Sequence, residues 1–264
     1  MPEPARARGE PVIEVDAVRT RFGDQQVHDG VSFTIGRGEL VALIGGSGTG
    51  KSVLLREIIG LLRPSGGQVR LLGADVWACD ASALTALRRR IGVMFQDGAL
   101  FSSLDVAANV ATPIVEHADL PPDMLGPLVD LRLSLAGLPA SAGRKMPSEL
   151  SGGMRKRAAI ARALALEPEV LFLDEPTSGL DPITARAFDR LLQFLCHDLG
   201  ITVLIVTHDL DTLLTIAERI IVLGAGKVVA DGTIDEVTAV DDDWIRSYFS
   251  VRAGLARVEA QGGA

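Results

Sequence analysis

The chain has 264 residues, of which 47% are hydrophobic and 23% are charged, and its formal net charge is -8. This length fits one large domain or a domain with a sizeable subdomain, and the acidic balance argues against a surface that follows nucleic acid phosphates. No stretch approaches the roughly 18 uninterrupted apolar residues of a membrane span, and residues 1–11 lack the apolar segment of a secretion signal. We therefore expect a disordered tail over residues 1–11 and a protein that stays in the cytosol.

Hydrophobic patterning predicts the first strands at residues 12–18, 31–35 and 40–44. Phe22 lies between the first two of these, in a chain that is only 4% aromatic. Two interpretations fit this side chain. It either lies flat on an adenine ring or belongs to the core, and its spacing does not separate the two.

A glycine-rich loop joins the strand at 40–44 to an amphipathic helix predicted at 53–62. Glycines allow positive φ values, and the successive N–H groups together with the helix N-terminus form a nest for a polyphosphate. The lysine adds a charge for the β- and γ-phosphates, and the final serine is a hard oxygen ligand for Mg²⁺. The alternative is a glycine turn that binds nothing, which the flanking strand and helix make improbable. The predicted loop consists of Gly45, Gly46, Ser47, Gly48, Thr49, Gly50, Lys51 and Ser52.

Further strands are predicted at residues 68–72 and 91–95, with a helix at 80–90 between them. Gln96 follows the strand at 91–95 directly. The carboxyl ends of strands face the ligand in open α/β sheets, so we expect Gln96 to contact Mg²⁺ or a water molecule.

Residues from 97 to about 166 change in character and predict a helical insert, with helices at 106–116 and 123–135. A long amphipathic helix then begins after Ser151, Gly152 and Gly153. Ser is a common N-cap residue, and two glycines expose unpaired N–H groups at a helix start. The sequence therefore predicts a second anion-binding segment in the same chain.

The apolar strand predicted at 170–173 ends on Asp174 and Glu175. The first carboxylate suits Mg²⁺ held over the phosphate loop, and the second suits a base for the water that attacks the γ-phosphate. An acidic pair in a surface turn is the alternative, although such turns seldom follow a wholly apolar strand.

Two more side chains are expected near this edge of the sheet. Asp181 precedes Pro182 and is predicted to cap the helix that begins there. His208 ends the strand predicted at 201–206 and so shares the carboxyl edge with Ser52, Gln96 and Glu175. A histidine at a strand end is often structural, but this location favours a functional role.

In chain order, these motifs resemble the ATPase subunit of ATP-binding cassette transporters over about residues 12–235. The resemblance implies an α/β fold with a P-loop NTPase (RecA-like) core, an antiparallel β subdomain and an inserted α-helical subdomain, within an ATPase domain at 12–240. It also implies a head-to-tail homodimer in which Ser151 and Gly153 of one subunit close over the ATP held by the phosphate loop of the other. The resemblance further implies roles for Phe22 on adenine, Gln96 between Mg²⁺ and the membrane partner, Asp181 across the dimer, Glu175 as base and His208 as γ-phosphate sensor.

The segment from Leu150 to Met154 reads LSGGM, where most members of that family have LSGGQ. A thioether cannot replace the hydrogen bonds of an amide, so we expect a weaker contact to the ribose of the partner's nucleotide. LSGGM is similar to the pattern in ATPases of MCE-type phospholipid transporters, the lipid-asymmetry (Mla) system and its relatives, as are residues 98–101, 115–117 and 146–150. That subgroup implies an MCE-domain substrate-binding protein and a small STAS-like regulatory subunit as partners.

We therefore predict a homodimer that hydrolyses ATP with Mg²⁺ at the cytoplasmic face of the inner membrane, as a peripheral protein without nucleic acid. It would drive a separate integral membrane permease that moves phospholipids, and residues 97–101 either line the permease groove or belong to the subdomain core. Two other hypotheses stay open. One is a transporter of amino acids, metals or lipoproteins. The other is a soluble cassette ATPase acting on DNA or ribosomes, which usually has two cassettes or a long coiled coil, and this chain shows neither.

The C-terminal part, 241–264, is predicted to form a helix and a tail. Trp244, Ile245, Tyr248 and Phe249 fall on one face at helical spacing behind three aspartates. This face packs either on its own domain or on a partner. Residues 252–264 are expected to be disordered.

Overall fold

A computed structural model describes residues 9–96 and 98–250, without the side chain of Pro122. Most of the two predicted tails, and Asp97 at the start of the predicted groove segment, lie outside the described residues. Among the described residues, no helix is both long enough and apolar enough to cross a bilayer.

Ten strands and the eight helices named below follow one another within the described part of the chain. The strands are β1 (Pro11–Phe22), β2 (Gln25–Gly36), β3 (Leu40–Gly45), β4 (Gly66–Leu71), β5 (Ala74–Asp75), β6 (Ile91–Met94), β7 (Val170–Asp174), β8 (Thr202–Val206), β9 (Arg219–Gly224) and β10 (Lys227–Gly232). The helices are α1 (Lys51–Ile58), α2 (Ala81–Arg88), α3 (Val106–His117), α4 (Pro122–Leu135), α5 (Gly152–Ala163), α6 (Pro182–His197), α7 (Leu210–Ile216) and α8 (Ile234–Thr238). Short 3₁₀ turns occupy Ala140–Arg144 and Pro147–Glu149, and residues 243–250 are helical.

The strands form two sheets. A four-stranded antiparallel sheet has the order β2-β1-β4-β5, and a six-stranded sheet has the order β10-β9-β3-β8-β7-β6. In the larger sheet only β10 runs antiparallel to its neighbour. Every residue of β3, β7 and β8 is buried, because both faces of these central strands are covered. Their carboxyl ends therefore meet at one edge of the sheet.

Three apolar clusters hold the layers together. One cluster fills the space between the two sheets around α1 and contains Phe33, Leu54 and Phe172. A second packs the helices between β6 and β7 on the opposite face of the larger sheet. The third lies at β9 and β10 and contains Ile245 of the C-terminal helical segment. The predicted α/β core, antiparallel β subdomain and inserted helical subdomain are thus confirmed.

The strands and helices predicted before residue 206 are present, with shifted ends, and β5 is an addition. The helix predicted at 53–62 is too long at its C-terminus, since α1 ends at Ile58. Gly60 takes a positive φ of 76°, and the N–H of Leu61 bonds back to Arg56 O at 2.8 Å. That glycine turn satisfies the last helical carbonyls and stops the helix.

Candidate nucleotide site

The glycine-rich loop lies between β3 and α1, as predicted. Gly45 ends β3 with φ 151°, and a Cβ there would lie 2.3 Å from Leu223 O, so no larger residue fits. Gly48 and Gly50 take φ values of 79° and 95°, which favour glycine. The loop therefore needs its glycines for close packing on β9 as well as for the positive φ values of a nest.

Lys51 lies back across this loop. Its Nζ donates to Gly45 O at 2.8 Å and to Gly46 O at 2.9 Å. Burial lowers the pKa of Lys51, while the nearby carboxylates of Glu175 and Asp174 act in the opposite direction. The ammonium group is thus held at the loop in a position where a phosphate group could replace the two carbonyl partners.

Ser52 and Asp174 meet at the carboxyl edge of the larger sheet. The Ser52 hydroxyl donates to Asp174 Oδ1 at 3.3 Å, although the two residues are 122 positions apart in the chain. Burial raises the pKa of Asp174, the Ser52 hydrogen bond lowers it, and the neighbouring Glu175 raises it. Two hard oxygen groups in a partly desolvated acidic place fit the ligand preference of Mg²⁺.

Glu175 and His208 form a direct pair at the same edge. His208 Nδ1 lies 2.7 Å from Glu175 Oε1, and the exposed fractions of the two side chains are 71% and 13%. Glu175 has a positive φ of 52°, and its N–H bonds to Val206 O at 2.8 Å. The strained backbone turns this carboxylate away from the course of β7 and towards the histidine.

Lys156 is a site residue that the sequence patterns did not single out. Its Nζ donates to Gln96 O at 2.5 Å, Glu175 O at 3.0 Å and Ser178 Oγ at 3.2 Å. Lys156 belongs to α5, so this side chain joins the helical insert to two loops at the carboxyl edge. A signal was present, because Lys156 falls at helical spacing with Ala159 and Ile160, which are both fully buried. A lysine on an apolar helix face needs buried acceptors.

Gln96 and Phe22 both lie outside the core. Gln96 follows β6 and has an exposed side chain, while its carbonyl accepts from Lys156. Phe22 ends β1 and is 48% exposed, so the core interpretation of this ring is wrong. The open face of Phe22 leaves adenine stacking as the remaining hypothesis.

The second predicted anion segment lies at the start of α5. Ser151 is the N-cap, and its Oγ accepts from Met154 N at 3.3 Å while the residue stays exposed.

Asp181 caps α6 by accepting from Ile183 N and Thr184 N at 3.1 and 3.0 Å. The hydrogen bond from the Thr184 hydroxyl is the largest contribution that lowers the pKa of Asp181. A Cβ on Gly153 would lie 2.5 Å from Thr184 Cγ2, so the two helix starts pack together. Within one chain, no hydrogen bond between described residues joins Ser151 to the phosphate loop.

The C-terminal helical segment packs against the site. Ile245 is fully buried, and the rings of Trp244 and Tyr248 stack at 4.8 Å. A Cβ on Gly46 would lie 3.3 Å from Trp244 Nε1, and Tyr248 Oη donates to His208 O at 3.0 Å. Burial raises the pKa of Tyr248 to about 12. Of the two interpretations of this apolar face, the structure shows packing on its own domain.

Comparisons with known proteins agree with this geometry. A family model described as ABC transporter matches residues 28–178. The chain is 41% identical over 238 residues to the intermembrane phospholipid transport system ATP-binding protein MlaF of Escherichia coli, covering 90% of this chain and 88% of that protein. It is 38% identical over 240 residues to the probable ribonucleotide transport ATP-binding protein mkl of Mycobacterium leprae, covering 91% of this chain and 69% of that protein.

A solved structure shows the same fold. It is the dimeric structure of a post-hydrolysis state of the ATP-binding cassette MJ0796 bound to ADP and Pi. The likeness has a TM-score of 0.77 at 32% identity and covers 84% of this chain and 98% of that one. The residues matched by the family model contain the phosphate loop and the pair Asp174 and Glu175.

Proposed function

The chain belongs to the ABC transporter family, and from this premise we propose that two copies of it hydrolyse ATP to drive a separate membrane permease for phospholipids. ATP hydrolysis is the activity of the chain as a member of this family. The observation that carries the proposal is the convergence of Lys51, Ser52, Asp174, Glu175 and His208 at one edge of the larger sheet. A nest for phosphates and a base for water are thereby combined in one place.

In the proposed reaction, the N–H groups of the phosphate loop and Lys51 bind the β- and γ-phosphates. Glu175 takes the proton of the attacking water, and the contact with His208 Nδ1 orients its carboxylate. Ser52 and Asp174 would hold Mg²⁺, which neutralises charge on the phosphates when bound. Phe22 stacks on the adenine with its open face, and Gln96 links the site to the permease side of the chain.

The proposed enzyme is a head-to-tail homodimer. Ser151, Gly152 and Gly153 expose N–H donors at the start of α5, without a phosphate loop in contact within the same chain as far as the structure describes it. In a dimer these donors and Asp181 would close over the nucleotide of the partner. The similar cassette bound to ADP and Pi is itself dimeric, which supports this arrangement.

The proposed permease contact is a groove of about 420 Å³ between β6, α3 and α5. Arg162 fixes the loop beside it by donating to Ala99 O at 2.7 Å and Gly98 O at 2.9 Å. Phe101 remains 51% exposed under the Arg162 guanidinium, 5.8 Å from the ring centroid. A fixed loop with an exposed aromatic ring supports docking of a partner over a purely internal packing role.

A single substitution tests the groove. We expect Phe101→Asp to leave ATP binding intact and to abolish phospholipid transport in vesicles, because a charge in an apolar contact is costly. Leu120→Asp, at another exposed apolar position of the helical insert, is the matched control. Full transport by the Phe101 variant would remove the docking role.

The proposed cargo is supported by the names of the relatives. The name of the Escherichia coli relative supports phospholipid as the cargo. An MCE-domain protein and a STAS-like subunit are proposed as further partners at the cytoplasmic face of the inner membrane, on the resemblance carried by the segment from Leu150 to Met154. The name of the mycobacterial relative supports ribonucleotides as the second candidate. Mass spectrometry of the complex that copurifies with the tagged chain from detergent-solubilised membranes tests both. We expect an integral permease and bound phospholipid. Bound ribonucleotide in place of phospholipid would favour the second candidate. Copurifying DNA or ribosomes would overturn the proposal that the chain serves a transporter.

A further inference from the structure

Three polar side chains are buried together behind the phosphate loop. Thr20 is 2% exposed, and both His28 and Glu57 are fully buried. They come from three different elements, since Thr20 belongs to β1, His28 to β2 and Glu57 to α1. Buried polar groups of this kind lower stability unless they are well paired, so their contacts need an explanation.

His28 joins the other two side chains to the loop. Its Nδ1 lies 2.9 Å from Thr20 Oγ1 and 3.1 Å from Glu57 Oε2, and its Nε2 lies 3.2 Å from Gly50 O. The Thr20 hydroxyl donates to Glu57 Oε1 at 2.5 Å. A Cβ on Gly50 would lie only 2.4 Å from His28 Nε2, so the ring packs directly on the loop backbone. The polar contacts therefore run from Gly50 O through His28 to the buried carboxylate of Glu57.

The direction of the hydrogen bond to the loop follows from its acceptor. A carbonyl oxygen can only accept, so Nε2 of His28 carries a proton and donates to Gly50 O. The same carbonyl accepts the first helical bond of α1, from Leu54 N at 2.8 Å. His28 therefore fixes the peptide group that joins the phosphate nest to the start of α1.

We propose that Thr20, His28 and Glu57 form a positioning network that holds the Gly50 peptide in the orientation required for phosphate binding. Gly50 immediately precedes Lys51 and Ser52, so a rotation of its peptide would turn the N–H of Lys51 away from the nest. The network also ties the loop to β1, where Phe22 lies two residues beyond Thr20. The network thereby fixes the position of the adenine end of the site relative to its phosphate end. This inference rests on the proposed role of the loop in ATP binding.

Two substitutions of one residue separate positioning from simple stability. The Nε2 amide of Gln can reach Gly50 O in place of His28 Nε2, whereas the shorter Nδ2 amide of Asn can reach only Thr20 and Glu57. We expect His28→Gln to bind adenylyl imidodiphosphate with Mg²⁺ within about twofold of the native affinity. We expect His28→Asn to bind roughly tenfold more weakly, as fits the loss of one positioning hydrogen bond. Equal affinities of the two variants would overturn the proposal.

A variant without any polar group in the network gives the second measurement. Combining Thr20→Val, His28→Leu and Glu57→Leu replaces a buried polar cluster by apolar side chains, which is often neutral for stability. We expect this chain to melt within a few degrees of the native one and still to bind the nucleotide about tenfold more weakly. Native affinity in this variant would overturn the positioning role of the network.

Ser32→Ala is the matched control, because Ser32 Oγ accepts from Ala17 N at 2.8 Å in the same sheet without contact to the loop. Its nucleotide affinity should equal that of the native chain. All measurements use the full-length protein. Failure of the native chain to bind nucleotide would count against the proposed ATP site, whereas native-like binding by all variants would count against the network alone.

Discussion

Glu175 is constrained through both its backbone and its side chain. Its positive φ and its bond to Val206 O fix the main chain, and His208 holds the carboxylate at 2.7 Å. A residue kept in such a conformation is placed for chemistry more than for stability.

Replacing Glu175 by Gln tests its role as base. The amide keeps the shape and can still accept from His208, but it cannot take a proton from water. We expect ATP to bind while phosphate release falls by about 100-fold or more. Release can be followed by a phosphate assay beside equilibrium binding of ATP. Glu167→Gln is the control, since Glu167 also has a positive φ of 54° but its exposed carboxylate pairs with the buried Arg132. Undiminished turnover in Glu175→Gln would place the base elsewhere.

Lys156 offers a separate prediction. Lys156→Met keeps an unbranched apolar stem and removes the donors to Gln96 O, Glu175 O and Ser178 Oγ. We expect kcat to fall by roughly tenfold with a KM for ATP close to native, because the phosphate loop is untouched. Unpaired carbonyls should also lower the free energy of unfolding by about 1–3 kcal/mol.

Steady-state kinetics with thermal unfolding measures both effects of Lys156→Met. Lys227→Met is the matched control, as Lys227 is exposed and pairs with Asp29. A loss of stability without any change in kcat would leave Lys156 a purely structural role.

At the residue scale, contiguous motifs were predictable and dispersed clusters were not. The loop from Gly45 to Ser52 and the pair Asp174 and Glu175 are local in sequence, so spacing alone marks them. The helical spacing of Lys156 marks a buried lysine, but two of its acceptors, Gln96 O and Glu175 O, are backbone carbonyls, which carry no sequence signal. The contact of Thr20 with Glu57 spans 37 positions and depends on how β1 packs on α1.

Among the helices, the contact of α6 with α7 contains a poorly compensated carboxylate. Asp189 is 2% exposed, its Oδ1 has no hydrogen-bond partner among the described residues, and Thr212 Oγ1 lies 3.5 Å from its Oδ2. Burial raises the pKa of Asp189 from 3.8 to about 6. The free energy of unfolding therefore falls as pH rises from about 3.8 to about 6, because ionised Asp189 disfavours the folded state. The loss is complete above pH 6.

Asp189→Asn removes the titration. The variant should be more stable than the native chain at pH 8, by at most about 3 kcal/mol for a shift of two units, and the gain should shrink as pH falls towards 4. Urea denaturation at pH 5 and pH 8 measures the difference. Asp198→Asn, at the exposed C-cap of the same helix, should show no such dependence. An equal gain at both pH values would contradict the raised pKa.

The prediction of strands and helices was strongest where a regular hydrophobic pattern extends over many residues, and it was weakest after residue 206. The β9–β10 hairpin was not predicted because its turn uses Ala225 and Gly226 at φ 47° and 74°. Alanine rarely marks such a turn, whereas Asn or Asp before Gly would have signalled it. β9 also starts with Arg219, which is buried only because it pairs with Asp231 and Glu39.

At the scale of the whole molecule, the central expectation is a nucleotide site shared between two subunits. Ser151→Arg should leave ATP binding intact and abolish hydrolysis, because Ser151 is exposed and would face the partner's nucleotide. Loss of the N-cap should cost only about 1 kcal/mol. Ser134→Arg on an exposed position of α4 is the control.

Light scattering of Ser151→Arg in the Glu175→Gln background, together with ATP, measures dimer formation. In the native chain, hydrolysis per molecule should rise with protein concentration. Strictly proportional hydrolysis at dilutions where only monomers exist, surviving in Ser151→Arg, would contradict a shared site. The order of motifs along the chain predicted this architecture, whereas the fit of the two subunits depends on surfaces that one chain does not show.

The chain has two tryptophans, and Trp244 lies beside Gly46 of the phosphate loop. Indole emission responds to nearby charge and to solvent. Replacing Trp77 by Phe would leave a single tryptophan, at the triphosphate end of the pocket. Loading and release of unlabelled nucleotide could then be timed by stopped-flow spectroscopy, without any dye attached to the protein.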